Sequence, residues 1–134
     1  MDVEKSDTMP IRSSEDVVRV RQAVRTGSVS LGFSLVDQTK IITAASEIAR
    51  NTLDYGGGGE LRLDLVRAGI RRGLRLVFSD DGPGIADLAQ ALKDGYTSGG
   101  GLGLGLGGAK RLCNEFDLRS APGEGTTVTL IRWK

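Results

Sequence analysis

Residues 35–55 read LVDQTKIITAASEIARNTLDY, and the spacing inside this stretch decides how the rest is read. Ile41, Ala45, Ile48 and Leu53, with Ile42 and Ala49 beside them, form an apolar stripe at helical spacing. Ser34 precedes it with Asp37 three positions on, the pattern of a capped helix start. Glu47 and Asn51 lie four apart, so a helix projects both from one face, with Thr43 ahead of them on the same line. Magnesium takes oxygen ligands and keeps several waters, so one amide oxygen together with ATP phosphates is a sufficient protein contribution. A carboxylate one turn away can orient or deprotonate an attacking hydroxyl. Taken alone, such a Glu/Asn pair more often marks a solvated helix surface.

Upstream, Ser13 and Ser14 followed by Glu15 and Asp16 open another helix, carrying Val17, Val20, Val24 and Val29 and ending near Gly32. Residues 1–8 read as a loose polar tail before a short strand near Pro10, which sets one domain at 9–134. Downstream, the glycine run 56–59 breaks the long helix and reads as a plain flexible turn. Leu61, Leu63 and Leu65 then alternate with Glu60, Arg62 and Asp64, and Leu74, Leu76 and Phe78 alternate with Arg75 and Val77. This predicts antiparallel strands with one covered and one polar face. Arg71, Arg72 and Gly73 are expected to make the turn between them, with the arginines solvated. A short helix is expected over 86–93, another over 105–114, and a last hairpin of 116–121 and 126–133 around Pro122. The expected fold class is α/β (α+β), a two-layer sandwich of a mostly antiparallel sheet with helices on one face.

Three further stretches carry chemistry. Asp80-Asp81-Gly82-Pro83-Gly84 follows an alternating strand. A carboxylate there can accept the exocyclic amine of adenine, and glycines let the base approach the backbone closely; an ordinary Asp/Gly/Pro turn fits equally. Residues 99–108, with seven glycines, run straight into a helix bearing Lys110 and Arg111. Freed backbone amides and a helix N-terminus suit phosphate. Residues 103–108 also match G-x-G-x-x-G, but no apolar strand or βαβ unit surrounds them, so a dinucleotide fold is rejected. Without ATP, 95–103 is expected to be mobile, and Leu102, Leu104 and Leu106 either pack inward or join Lys110 and Arg111 in a docking surface. Gly123-Glu124-Gly125-Thr126 closes the set and alone would be a hairpin turn.

Composition narrows the classes. The chain has 134 residues, a net charge of +1 from 18 basic and 17 acidic residues, one cysteine and no histidine. That charge balance gives no reason to expect nucleic acid or a membrane as partner. The lack of histidine excludes Ser-His-Asp and Cys-His triads, histidine zinc ligands and an autophosphorylated histidine. Lone Cys113 reads as a small core hydrophobe and suits a reducing, cytoplasmic setting. The polar, acidic start lacks the basic and apolar regions of a secretory signal.

In their order, a helical E-x-x-x-N, a D-x-G-x-G after a strand, a glycine-rich segment before a helix and a terminal G-x-G-T resemble the GHKL (Bergerat-fold) ATP-binding module over about residues 10–133. By that resemblance Asn51 holds magnesium and Glu47 is the general base. Asp80 reads adenine, and Gly82 and Gly84 shape its pocket. Gly101, Gly103 and Gly105 cradle phosphate, and Thr126 supports the adenine side. Within the superfamily, residues 46–51, 81–85, 100–105, 110–112 and 115–116, and 123–126 are similar to the RsbT-type serine/threonine switch kinases of bacterial stressosomes, a branch of the anti-sigma regulatory factor family. That implies a kinase using ATP and Mg2+ to phosphorylate STAS-domain partners and, when released, to bind a downstream phosphatase. An ATP-gated binding module that transfers no phosphate is the alternative; retention of both Glu47 and Asn51 favours the enzyme.

Overall fold

The two alternating leucine stretches pair as expected. In the computed structural model, which describes residues 1–92 and 105–134, β2 (Gly59–Ala68) and β3 (Arg71–Asp80) run antiparallel, with Leu61 opposite Phe78, Leu63 opposite Leu76 and Leu65 opposite Leu74. These six side chains lie on the face that receives the helices. Strands β4 (Glu115–Ser120) and β5 (Thr126–Trp133) form the C-terminal hairpin, and β5 pairs with β3 so that Val128 and Leu130 extend the same face. With β1 (Asp2–Ile11), the described residues form a five-stranded antiparallel sheet in the order β1-β2-β3-β5-β4.

Two helices cover that face. Helix α1 (Ser14–Ser30) begins where the Ser13 hydroxyl accepts the Asp16 amide, and α2 (Leu35–Asp54) begins where Ser34 accepts the amide of Asp37. Such caps satisfy amides that the first helical turn leaves unpaired. Val17, Val20 and Val24 of α1 and Ile41, Ala45, Ile48 and Ala49 of α2 are buried against the sheet. Each valine or isoleucine side chain removed from water in this way contributes about 1.5–3 kcal/mol. Val29 departs from the expected stripe and is 57% exposed, because the buried line of α1 continues from Val24 through Gly27 and Ser28, with Gly27 against Leu74 and Leu63 of the sheet, and Val29 points away from it. Gly32, at φ 79°, then reverses the chain into α2. Short α3 (Leu88–Ala91) and α4 (Gly105–Arg111) complete the layer. Arg132 ties the sheet to it, donating to Asp37 at 2.6 Å and to the Leu112 carbonyl at 2.9 Å. Cys113 packs against the core as a small hydrophobe, and burial pushes its thiol up to about 12. Among the described residues, no helix is long and apolar enough to cross a membrane.

Three local expectations are corrected. The stretch expected as a loose tail, 1–8, is most of β1. Its side chains are largely exposed, so no apolar pattern announces it; the ladder to β2 and specific polar contacts hold it instead. Glu4 pairs with Arg67 at 3.4 Å and Arg72 at 3.0 Å. Second, the hairpin turns at Gly69, with φ 64°, and Ile70, while 71–73 already belong to β3. The arginines are engaged: Arg71 lies 4.7 Å from the Trp133 ring centroid, and Arg72 binds Glu4. Third, the far face of the sheet is not simply polar, since Val66, Ile131 and Trp133 form a second buried cluster there.

The same face carries Asp64, only 1% exposed, which accepts from Ser6 Oγ at 2.6 Å, Arg75 Nε at 3.0 Å and Arg62 Nε at 3.2 Å. Burial pushes its carboxyl up, but Ser6 and the two arginines outweigh this and hold it below the usual carboxylate range. A depressed folded-state pKa contributes stability above the unfolded value, lost as pH falls through the folded one. Asp64→Ala is therefore expected to lose about 1–3 kcal/mol at neutral pH, the cost of leaving buried partners unsatisfied. Its stability deficit should shrink below about pH 4. Denaturant midpoints across pH measure both; a neutral-pH midpoint equal to wild type would show that β1 does not depend on this cluster.

Candidate functional site

The C-terminal half of α2 and the ends of β3 and β5 meet around one cleft. Its walls are apolar, from Ile48, Phe78, Ile85, Ala91, Leu106 and Val128, and its polar groups come from Asn51, Thr52, Tyr55, Asp80 and Thr126. Of the site residues expected from sequence, Asn51, Asp80 and Thr126 thus converge on a single cleft although 75 positions separate the outermost two in the chain.

Register brings Asp80 and Thr126 together, as they are directly opposite in the β3–β5 pairing. The Asp80 carboxylate accepts the Gly82 amide at 2.9 Å and the Thr126 backbone amide. Burial raises its pKa above the ordinary value; those two amides oppose the rise, and neighbouring Asp81 adds to it. The result is a carboxylate fixed by two donors, with acceptor capacity left over, at the wall of an apolar cleft.

The glycines around Asp80 are there for space. Gly84 has φ 77°, and a Cβ on it would collide with the Ala121 carbonyl; Gly125 has φ 75°, and a Cβ there would strike the Asp80 carbonyl. The two loops are joined where Gly123 N–H donates to the Pro83 carbonyl at 2.7 Å. Ser120, which sequence reasoning passed over, locks them further. Its hydroxyl accepts the Ile85 amide at 2.8 Å and lies 2.8 Å from Thr126 Oγ1.

Glu47 lies one turn before Asn51 on α2 and is only 2% exposed. It is not among the described residues that line the cleft. Gly105 begins α4, and Leu106 packs inward on the cleft wall, while Lys110 and Arg111 are exposed. Gly101 and Gly103, the expected mobile stretch 95–103, and Leu102 and Leu104 lie outside the described residues.

The glycine run 56–59 breaks α2 and turns the chain into β2, as expected, but it is more than a plain turn, because two of its glycines are required by space. A Cβ on Gly59 would collide with the Ser79 carbonyl, and one on Gly56 would enter the Asp80 side chain. The available signal was position: the run directly follows the helix that bears Asn51.

Fold and cleft together define a nucleotide-binding module of the two-layer ATPase class. The chain matches the family described as histidine kinase-, DNA gyrase B- and HSP90-like ATPase over residues 36–134, and it belongs to that family. It is 44% identical over 123 residues to the serine/threonine-protein kinase RsbT of Bacillus subtilis (strain 168), covering 92% of each chain. It is 29% identical over 125 residues to the anti-sigma F factor of Pasteuria penetrans, covering 89% of this chain and 83% of the relative. Among solved structures, the RsbU and RsbW domains of a Mycobacterium tuberculosis protein superpose with a TM-score of 0.66 at 20% identity, over 97% of this chain and 33% of that one. A mycobacterial sensor histidine kinase, MprB, gives 0.53 at 20% identity, over 96% and 97%. These two likenesses concern the fold.

Proposed function

We propose that this protein is an ATP-dependent serine/threonine protein kinase acting on STAS-domain partners in a cytoplasmic partner-switching pathway, and binding a downstream phosphatase once released. The observation that carries the reading is the convergence of Asn51, Asp80 and Thr126 on one apolar cleft, with Glu47 a turn away on the same helix. The 44% identity to a serine/threonine kinase over nearly the whole chain supports it.

In this reading Ile48, Phe78, Ile85 and Val128 bury the adenine faces, and Asp80 accepts the 6-amino group. The glycines at 82 and 84 allow the backbone to lie close to the base. Gly101, Gly103 and Gly105 offer amides to the phosphates. Asn51 would hold magnesium through its side-chain oxygen, a hard donor among the residues that line the cleft, with waters and phosphate oxygens completing the shell. Bound magnesium supplies neutralisation of phosphate charge. The acceptor hydroxyl oxygen bonds to the γ-phosphorus, the bond to the β–γ bridging oxygen breaks, ADP leaves, and the hydroxyl proton passes to Glu47. Positioning and charge neutralisation carry most of such a reaction, so one acid/base residue suffices.

The identity to an anti-sigma factor supports a second reading, an ATP-gated module that sequesters or activates its partner without transfer. Incubation with γ-labelled ATP and a panel of STAS domains separates the two. The kinase reading expects label on a serine or threonine of the partner. Formation of an ATP-dependent complex with no label would establish the binding module instead.

A further inference from the structure

Gly56 sits at the end of α2 with its amide donating to the Asn51 carbonyl at 3.2 Å. Its φ is not in the left-handed region, so the backbone there does not call for glycine. What calls for glycine is space. A Cβ at Gly56 would lie 2.5 Å from Asp80 Oδ2 and 2.8 Å from Asp80 Cβ, far inside van der Waals contact. Turning the carboxylate alone would not relieve the clash, because the Asp80 Cβ is crowded too. Gly82 presses on the same spot from the other side: its own Cβ would lie 2.7 Å from the Cα and O of Gly56. Two glycine backbones therefore touch beneath the carboxylate, and the Gly82 amide that holds Asp80 Oδ1 is placed by that contact.

We infer that Gly56 is a positioning residue for nucleotide recognition, its missing side chain being what seats the Asp80 carboxylate at the cleft wall where it selects a base bearing an exocyclic amine. The inference rests on the adenine reading of Asp80. It also couples two parts of the site, since the residue bonded to the Asn51 carbonyl sets the position of Asp80. The neighbouring Gly57 provides an internal contrast: it has φ 74°, yet a Cβ on it would meet nothing within 4 Å. Alanine at Gly57 strains the backbone without touching the site, and alanine at Gly56 touches the site without straining the backbone.

The test is calorimetric binding of ATP and of purine riboside 5′-triphosphate, in which hydrogen replaces the 6-amino group. Wild type should prefer ATP roughly tenfold or more, the worth of a hydrogen bond to a charged acceptor. Gly56→Ala should lose most of that preference, whereas Gly57→Ala should melt lower but keep it. A Gly56→Ala protein that still discriminates as wild type does would overturn the inference while leaving the adenine reading intact. A wild type that binds both nucleotides equally would remove the adenine reading itself, and the inference with it. Stability gives an independent arm. The melting-temperature loss from Gly56→Ala should be smaller in an Asp80→Ala background, where the carboxylate atoms are gone and only the contact with the Asp80 Cβ remains. Equal losses in both backgrounds, or failure of the double variant to fold where Asp80→Ala folds, would also overturn it.

Discussion

Asp80→Asn is expected to bind ATP about thirty- to a hundredfold more weakly than wild type while keeping the fold. The reason lies in donor counting. The carboxylate already accepts the amides of Gly82 and Thr126 and, in the proposed complex, must also accept the adenine amine. Two carboxylate oxygens can serve three donors; an asparagine has one acceptor oxygen and turns its NH₂ toward a donor. Acidification should reproduce part of the loss. Because burial raises the pKa of Asp80, the folded protein takes up a proton here at higher pH than the unfolded chain does. Stability of the free protein from this group therefore falls as pH rises through that window, while nucleotide affinity rises. The ratio of wild-type to Asp80→Asn affinity should shrink as pH falls through it, a comparison that cancels the titration of ATP itself. Calorimetry showing wild-type affinity in Asp80→Asn at neutral pH would sink the assignment of the adenine contact.

The second large effect concerns turnover. Glu47→Gln should retain ATP affinity and lose roughly 10²–10⁴ in rate of transfer, the usual worth of general acid–base catalysis. Glutamine preserves the shape of a side chain that is 2% exposed, so packing in α2 should survive, and only the ability to take a proton is lost. Asn51→Ala, four residues on, should behave in the opposite way, losing magnesium-dependent ATP binding. Single-turnover measurements on preformed ATP complexes separate the two steps. Equal transfer rates in Glu47→Gln and wild type would assign proton acceptance to another group, including the substrate phosphate.

Stability and function are set against each other at Asp80. Burying its charge is unfavourable to the free fold, and the glycines that make room for its carboxylate at positions 56 and 82 bring backbone freedom that ordering must overcome. Polar or strained features that persist at such local disadvantage cluster where ligands bind.

What the sequence by itself determined was whatever repeats with a period or sits within one turn of its partner. The stripe from Ile41 to Leu53, the capping serines 13 and 34, and the alternation through 61–65 and 74–78 each follow from local geometry, so helices and strands emerged with their buried faces. Glu47 and Asn51 share a face for the same reason. The tertiary structure alone decided what depends on contacts between distant segments. Strand β1 has no apolar period, and it exists because Glu4 and Ser6 meet partners more than fifty positions away. The turn at Gly69 and Ile70 was hidden because arginines 71 and 72 look like loop residues until Trp133 and Glu4 lie beside them. The glycines at 56 and 59 carry no side chain to read, so their role could appear only once β3 had placed Asp80 and Ser79 against them. Periodicity is a property of one segment and is visible in the chain, whereas the space a residue must leave empty is set by another segment's atoms.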